Sequence, residues 1–295
     1  MEGAAITSLR SYLESGGVNV AHNMSFNNVE AISPTAEDLW QEVRKEARHN
    51  EDEVLGDLTR PSIIDQPDLQ SALAYLLARK LSNDFIRKSV IFSLVRDFLR
   101  AMPDVGNIMA ADLHSIRKRD LAATNHMVPF LFFKGFHAVQ AYRLANWLWH
   151  QNRRSLAQYI QSRASEVFAV DIHPAARLGK RIMFDHGTGI VIGETSVVED
   201  DVALLQNVTL GGTGKESGDR HPKIRRGALI GTGAKVLGNI EIGEGAKVGA
   251  GSIVLKSVAP FTTVVGNPAH PVGRPHVALP ALTMDQSLPP FSYVI

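Results

Sequence analysis

The sequence of 295 residues contains no cysteine. Disulfides, thiolate metal sites and a thiol nucleophile are all excluded by that one absence. There is no excess of either charge, since 31 basic and 30 acidic residues are well mixed and leave a net charge of +1. Such a balance offers no electrostatic footprint for nucleic acid or for an anionic membrane surface. No apolar run approaches the roughly 20 residues that cross a bilayer. The opening stretch, MEGAAITSLRSYLESGG, lacks a basic region followed by a long apolar one, and Glu2 and Glu14 argue against an acid-poor transit peptide. The expectation is a soluble, cytoplasmic protein that engages neither nucleic acid nor membrane.

What is present is 44% hydrophobic residues, enough for a sizeable core, arranged in two different periods. Residues 1–33 are polar and rich in Gly, Asn and Ser, and are expected to be a flexible leader. From Pro34 the pattern turns helical, with Thr35 as candidate N-cap and Asp38 three residues on. Helical spacing continues through PDLQSALAYLLARKLS, DFIRKSVIFSLVRDFLRAM and NIMAADLHSIRKRDLAA. The last helical stretch runs from Pro129 to Phe168, with apolar residues recurring at three and four. Lys134, His137 and Arg143 interrupt its aromatic part, which therefore reads as a buried amphipathic helix rather than a membrane span. Residues 34–168 are expected to be all-α.

After Val170 the period becomes six. Windows starting at 172, 178, 184, 192, 198, 204, 230, 236, 242, 248 and 254 all begin with a large apolar residue. The fifth residue of each, Ala176, Thr188 and Ser196 among them, is small or β-branched, and glycine often stands second. Each hexapeptide supplies a short strand and a turn, and three of them close one triangular coil; the first residue fills the axis and the fifth sits near a corner. Two slips break the register: two extra residues, assigned to 190–191, and a long insertion after Leu210 that carries GGTGKESGDRHPKI. Insertions in such stacks project from one face and often form the binding face. From Gly273 onward the prolines are scattered and no period is left, which predicts an extended, mobile tail. The fold class is thus α+β: a helical domain over 34–168, a parallel β-helix of hexapeptide repeats over 169–272, and a tail over 273–295.

Hexapeptide prisms serve many acyltransferases. The stretch from Asp171 to Ser252, together with KRDLAATNHMVPFLFFKGFHAVQAYRLANWLW, resembles serine O-acetyltransferases, which open cysteine synthesis; the resemblance covers roughly residues 35 to 275. It implies a left-handed β-helix and transfer of acetyl from acetyl-CoA to the hydroxyl of L-serine. His186, in FDHGTG, matches the family's general base, and Asp171, in VDIHPAA, matches the carboxylate that orients it. A serine hydroxyl needs such a base to attack a thioester, and histidine suits the task near neutral pH. Arg220 resembles the clamp for the substrate carboxylate, with His221 beside it; a planar guanidinium fits a carboxylate bidentately. Asp185 and Asp120 match acids around the amino and hydroxyl end of serine. Gly212, Thr232 and Ala250 match small positions along the pantetheine arm, with Thr232 standing where alanine is familiar.

The resemblance further implies a homotrimer or a dimer of trimers, with acetyl-CoA in the groove between adjacent prisms, and inhibition by L-cysteine. The ending at Ile295 resembles plant-type tails whose terminal isoleucine enters the active site of O-acetylserine sulfhydrylase. No metal is expected. Other readings stay open on spacing alone: a different hexapeptide acyltransferase, a non-catalytic scaffold, or a zinc carbonic anhydrase of the same fold using His173, His186 and His221. GGTGK lacks the spacing and the βαβ setting of a phosphate loop. Lys247 reads equally as a contact for CoA phosphates or as a solvated lysine at a coil edge.

Overall fold

Thr35 starts the first helix as read from the sequence: its hydroxyl oxygen accepts from Asp38 N at 3.1 Å and donates to the Asp38 carboxylate at 2.7 Å. The computed structural model describes residues 34–49, 52–214 and 217–289; the leader 1–33 and Ile295 lie outside the described residues. Helices α1 (Ala36–Arg48), α2 (Glu53–Thr59, continued by a π-turn at Arg60–Ile64), α3 (Leu69–Leu81), α4 (Lys88–Ala101) and α5 (Val105–Arg119) come first. They are followed by α6 (Met127–Phe132), α7 (Lys134–His150) and α8 (Arg154–Phe168). Their apolar faces converge on one core, in which Trp40 of α1 meets Phe130 of α6 edge-on at 6.0 Å.

The stretch from Pro129 to Phe168, one pattern in the sequence, is three helices in space. The first break is Phe133, whose backbone is extended (φ −80°, ψ 104°). It turns the chain so that α7 can lie directly on the β-structure. Gly135 rests on the carbonyl of Phe184 so closely that a Cβ would stand 2.2 Å from its oxygen. The second break, at Asn152 (φ 59°), folds α8 back along α7.

Among the described residues fifteen strands follow: β1 (Val170–Ile172), β2 (Arg177–Leu178), β3 (Met183–Phe184), β4 (Ile190–Ile192), β5 (Val197–Val198), β6 (Ala203–Leu204), β7 (Thr209–Gly211) and β8 (Lys223–Ile224) in the first half. The second half holds β9 (Leu229–Ile230), β10 (Lys235–Leu237), β11 (Glu241–Ile242), β12 (Lys247–Val248), β13 (Ile253–Val254), β14 (Thr263–Gly266) and β15 (Ala269–Gly273). Corresponding strands of successive coils stack in parallel, giving three faces: A (β1-β4-β7-β10-β13), B (β2-β5-β8-β11) and C (β3-β6-β9-β12-β14), with β15 added antiparallel to the end of face C. The apolar first residues form columns through the prism, such as Ile172, Ile192, Leu210, Val236 and Val254 on face A. The architecture is a helical region followed by a parallel β-solenoid, as the two periods predicted.

The register slips fall differently from the sequence reading. From Phe184 to Ile192 the columns are eight residues apart, against six from Leu204 to Leu210 and from Ile230 to Val236. The two extra residues are therefore not at 190–191, where Ile190 is a buried strand residue. They sit in the corner 185–189, which swells outward through His186 (φ 56°), Gly187 (φ 73°) and Gly189 (φ 74°). Thr188, a fifth residue expected to fit near a corner, stands on the swollen part of it and is exposed. The second slip, from Leu210 to Ile224, widens the corner between faces A and B.

The segment after Gly273 also departs from expectation. Through residue 289 it packs across face C: Leu279 covers Gly227, Ala281 N donates to the Gly227 carbonyl at 3.3 Å, and α9 (Pro280–Thr283) lies between. Lys247 is 1% exposed, and its ammonium donates to the carbonyls of Asp285 at 3.0 Å and Ser287 at 2.5 Å. A buried ammonium demands such partners, so Lys247 is neither a solvated edge lysine nor free for CoA.

Buried charges join helices to solenoid. Asp112 of α5 accepts from Arg143 of α7 at 2.7 Å and from Ile182 N at 3.3 Å. Fully buried Asp201 pairs with Arg119 at 3.3 Å, Arg181 at 2.6 Å and Arg226 at 3.2 Å. Arg119 is the last residue of α5, so this pairing also sets the position of Asp120.

Candidate active site

The swollen corner between faces C and A forms one wall of a cleft of about 610 Å³, opposite the end of α5 and the start of α7. Asp120, Lys134, Asp185 and His186 supply its charged lining, with Leu121 and Phe132 at the exposed rim. The left-handed backbone of His186 throws its side chain outward, 73% exposed, with Nε2 3.9 Å from the Asp185 carboxylate. Asp120 ends α5, and its carboxylate accepts from Ala122 N at 2.8 Å. Burial pushes the Asp185 carboxyl above the usual range; His186 opposes that and Asp120 adds to it. Two carboxylates facing one open cleft suit a cationic group such as an ammonium.

Asp171 lies on β1, near this corner, since a Cβ at Gly187 would stand 3.3 Å from Val170. Its carboxylate accepts from Gln161 of α8 at 2.7 Å. Among the described hydrogen bonds none joins it to His186.

A second cluster occupies the corner between faces A and B. The ring of His221 lies flat over Gly193, where a Cβ would stand 2.1 Å from Nε2; only glycine leaves room for it. Thr195 N donates to His221 Nδ1 at 3.2 Å, so Nδ1 is the acceptor and Nε2 carries the proton of the neutral ring. Burial, then Arg220, lowers the His221 pKa, which keeps the ring neutral and Nε2–H a donor. Arg220 is anchored through N to Thr195 Oγ1 at 3.0 Å and through its guanidinium to Glu194 at 2.7 Å. Lys223 ties the base of the loop through Asp219 at 2.7 Å and the His221 carbonyl at 2.6 Å.

The predicted residues therefore form two columns on different edges. Thr232 and Ala250 stack above His186 on the C/A edge: Asn207 N donates to the Thr188 carbonyl, Thr232 Oγ1 reaches Gln206 at 3.3 Å, and Gly251 N donates to the Thr232 carbonyl at 2.7 Å. Gly212 belongs to the other edge, where a Cβ would meet the Arg220 carbonyl at 3.4 Å. One chain does not bring Arg220 and His221 over the His186 cleft. His173 also lies on the A/B edge, its N bonded to the Ile192 carbonyl; the described residues hold no group of three or more His, Asp or Glu placed for a metal ion. Glu194, Thr195, Lys134 and Thr188 were not singled out in the sequence. Glu194, Thr195 and Thr188 lie near the slips in sequence, whereas Lys134 lies far from both and showed only as a charge interrupting an aromatic helical run.

Comparison with known proteins identifies the family. A family model described as serine acetyltransferase, N-terminal, matches residues 39–141, and one for six bacterial transferase hexapeptide repeats matches residues 221–256. The chain is 50% identical over 250 residues to the serine acetyltransferase of Escherichia coli strain K12, covering 84% of this chain and 92% of that protein. A solved serine acetyltransferase in complex with cysteine superimposes with a TM-score of 0.84 at 47% identity, over 86% of this chain and all (100%) of that one. A serine acetyltransferase of Brucella abortus strain S19 in complex with coenzyme A gives 0.79 at 47% identity, over 80% and 96% of the two chains.

Proposed function

The chain belongs to the serine acetyltransferase family, acyltransferases with acetyl-CoA as co-substrate, and from that premise we propose that His186 is the general base of the transfer. As the L-serine hydroxyl attacks the thioester carbonyl, His186 takes its proton. The tetrahedral intermediate collapses, the C–S bond breaks, and the departing CoA thiolate receives that proton. With no cysteine in the chain, the acetyl group passes directly between the two substrates without a cysteine-linked acyl-enzyme. The observation that carries the reading is His186 itself, exposed on a left-handed corner above a cleft that holds Asp120 and Asp185.

Asp120 and Asp185 receive the ammonium of serine. The carboxylate goes to Arg220 and to the Nε2–H of His221, whose tautomer is set for donation. These halves lie on separate edges, so the site is completed when the C/A edge of one prism meets the A/B edge of another copy. Closed rotational symmetry accomplishes this in a trimer, each interface being the same heterologous contact. Thr232 and Ala250 then face Gly212 of the next copy across a groove, which is where acetyl-CoA lies. Asp171 orients His186 by exchanging its bond from Gln161 once substrates bind, since catalytic hydrogen bonds tighten in the loaded site.

L-Cysteine carries the same amino and carboxylate groups as L-serine, and a relative is solved with it; feedback inhibition at this site follows. Docking of the tail into O-acetylserine sulfhydrylase rests on Ile295, outside the described residues. No described helix is long and apolar enough to cross a membrane, and we place the enzyme in the cytoplasm. The test is His186→Ala in a thiol-release assay with acetyl-CoA and L-serine. Turnover should fall ~10²–10⁴-fold, the usual scale for losing such a base, with the acetyl-CoA KM little changed. Near-normal turnover would remove His186 from the mechanism.

A further inference from the structure

The swollen corner that carries His186 is held mainly through its backbone, with Gly187 N bonded to the Asp185 carbonyl at 2.6 Å and Gly189 N to the Ala169 carbonyl at 2.7 Å. Its residues run Asp185-His186-Gly187-Thr188-Gly189, with positive φ at His186, Gly187 and Gly189. Glycines on both sides of a residue leave the backbone little preference of its own. Among the described hydrogen bonds, one side-chain bond is made by residues 186–189: Thr188 Oγ1 accepts from the ammonium of Lys134. The main chain of Thr188 is held from the other side, its carbonyl accepting from Asn207 N at 2.7 Å.

Lys134 is the first residue of α7, and no acidic residue stands in that helix's first turn. A cation at a helix N-terminus opposes the macrodipole, so helix stability gives no reason for it. It lines the same cleft as Asp120 and Asp185. Yet among the described ion pairs none joins Lys134 to either carboxylate; its ammonium goes to Thr188 instead. The base of the lysine is rigid as well, because the neighbouring Gly135 is wedged against the Phe184 carbonyl.

We infer that Lys134 is a positioning residue: by holding Thr188 it pins the two-glycine corner against α7 and fixes the direction in which His186 points. This rests on the reading of His186 as the base. Lys134 touches no reacting atom in this arrangement, and its contribution passes entirely through the corner.

The experiment uses the full-length protein with Lys134→Met, Thr188→Val, the double variant, and Lys134→Met combined with His186→Asn. Steady-state constants for both substrates and thermal melts are measured for each. Misplacing a base by an ångström costs up to ~100-fold, so kcat should fall ~10–100-fold in Lys134→Met, while the acetyl-CoA KM and the melting temperature stay near wild type. Thr188→Val should do the same, and the double variant should be no worse than either single one, because one contact is lost once. Lys134→Arg, which keeps a donor, should recover part of the rate. With His186→Asn in place, adding Lys134→Met should change the residual rate less than ~2-fold, there being no base left to aim.

Three results would overturn the inference: an unchanged kcat in Lys134→Met, multiplying effects of Lys134 and Thr188, or a rise in a substrate KM with kcat intact, which would make Lys134 a ligand-binding group. Should Lys134→Met fail to fold, Thr188→Val on the exposed corner decides the matter in the same way. High activity in His186→Asn alone would strike at the base assignment, and that outcome is separate from any result at Lys134.

Discussion

Asp185 pays for its place in the cleft. Burial, assisted by Asp120, raises its pKa above the ordinary value of 3.8. For an acid raised in this way, the folded state holds the proton more tightly than the unfolded one. Its contribution to stability is fully present below the unfolded pKa and is lost as pH rises through the folded pKa. At neutral pH the ionised carboxylate is therefore a net cost. Asp185→Asn should melt higher than wild type at pH 7 to 8, by ~1–3 °C for a chain of this size. The gain should shrink as pH falls through the raised pKa and vanish below the carboxylate range. The serine KM should rise in the same variant, because the cleft loses one of its two anions. Melts across pH check the first part, and an asparagine variant less stable than wild type at neutral pH would refute it. The carboxylate proposed to receive the serine ammonium is thus locally destabilising.

At the scale of elements, α7 is the part that connects packing to chemistry. It begins only where Phe133 breaks the helical run, and its second residue, Gly135, lies tight against the solenoid. The left-handed corner and the helix start touch there: a Cβ on Gly187 would lie 3.3 Å from Gly135 Cα. Gly135→Ala should destabilise the protein by ~1–3 kcal/mol, the cost of forcing a methyl group into filled space. The carbonyl it meets belongs to β3 and cannot rotate away as a flexible side chain would. Because α7 must then lift from the corner, turnover should fall as well, whereas a purely structural glycine would change stability alone. Denaturant unfolding with a parallel kinetic assay measures both.

For the whole molecule, the decisive feature is that the residues proposed as the two halves of the site occupy different edges of a triangular prism. If neighbouring copies supply the halves, two different inactive subunits can rescue one another. Coexpressed His186→Ala and Arg220→Ala chains should assemble at random, and roughly one interface in four then pairs an intact C/A edge with an intact A/B edge. About a quarter of wild-type turnover is expected from the mixture, against almost none from either parent. A mixture as inactive as its parents, with hybrid assemblies verified by mass, would mean that each chain builds its site alone.

Legible in the chain alone are the change from a helical to a sixfold period, the apolar columns of the solenoid, the Thr35 cap, the count of two extra residues in the first slip and the place of the long insertion after Leu210. These are local properties. A strand-and-turn unit that must bury the same position each time writes its period directly into the chain. The long insertion drew attention to Arg220 and His221, whereas His186 was reached through its resemblance to the serine O-acetyltransferase motif and not through the period. The period misplaced the first slip, since the count of extra residues is visible in sequence but the corner able to absorb them is not. Only left-handed backbone at His186 and its glycines allows that corner to swell. The tertiary structure alone decided that Phe133 ends one helix, that Asp171 is held by Gln161, that Lys247 is buried under Asp285 and Ser287, and that the site residues divide between two edges. Each depends on a partner far away in the chain, and hydrogen bonds, close contacts and buried charges between such partners leave no period for a sequence to display.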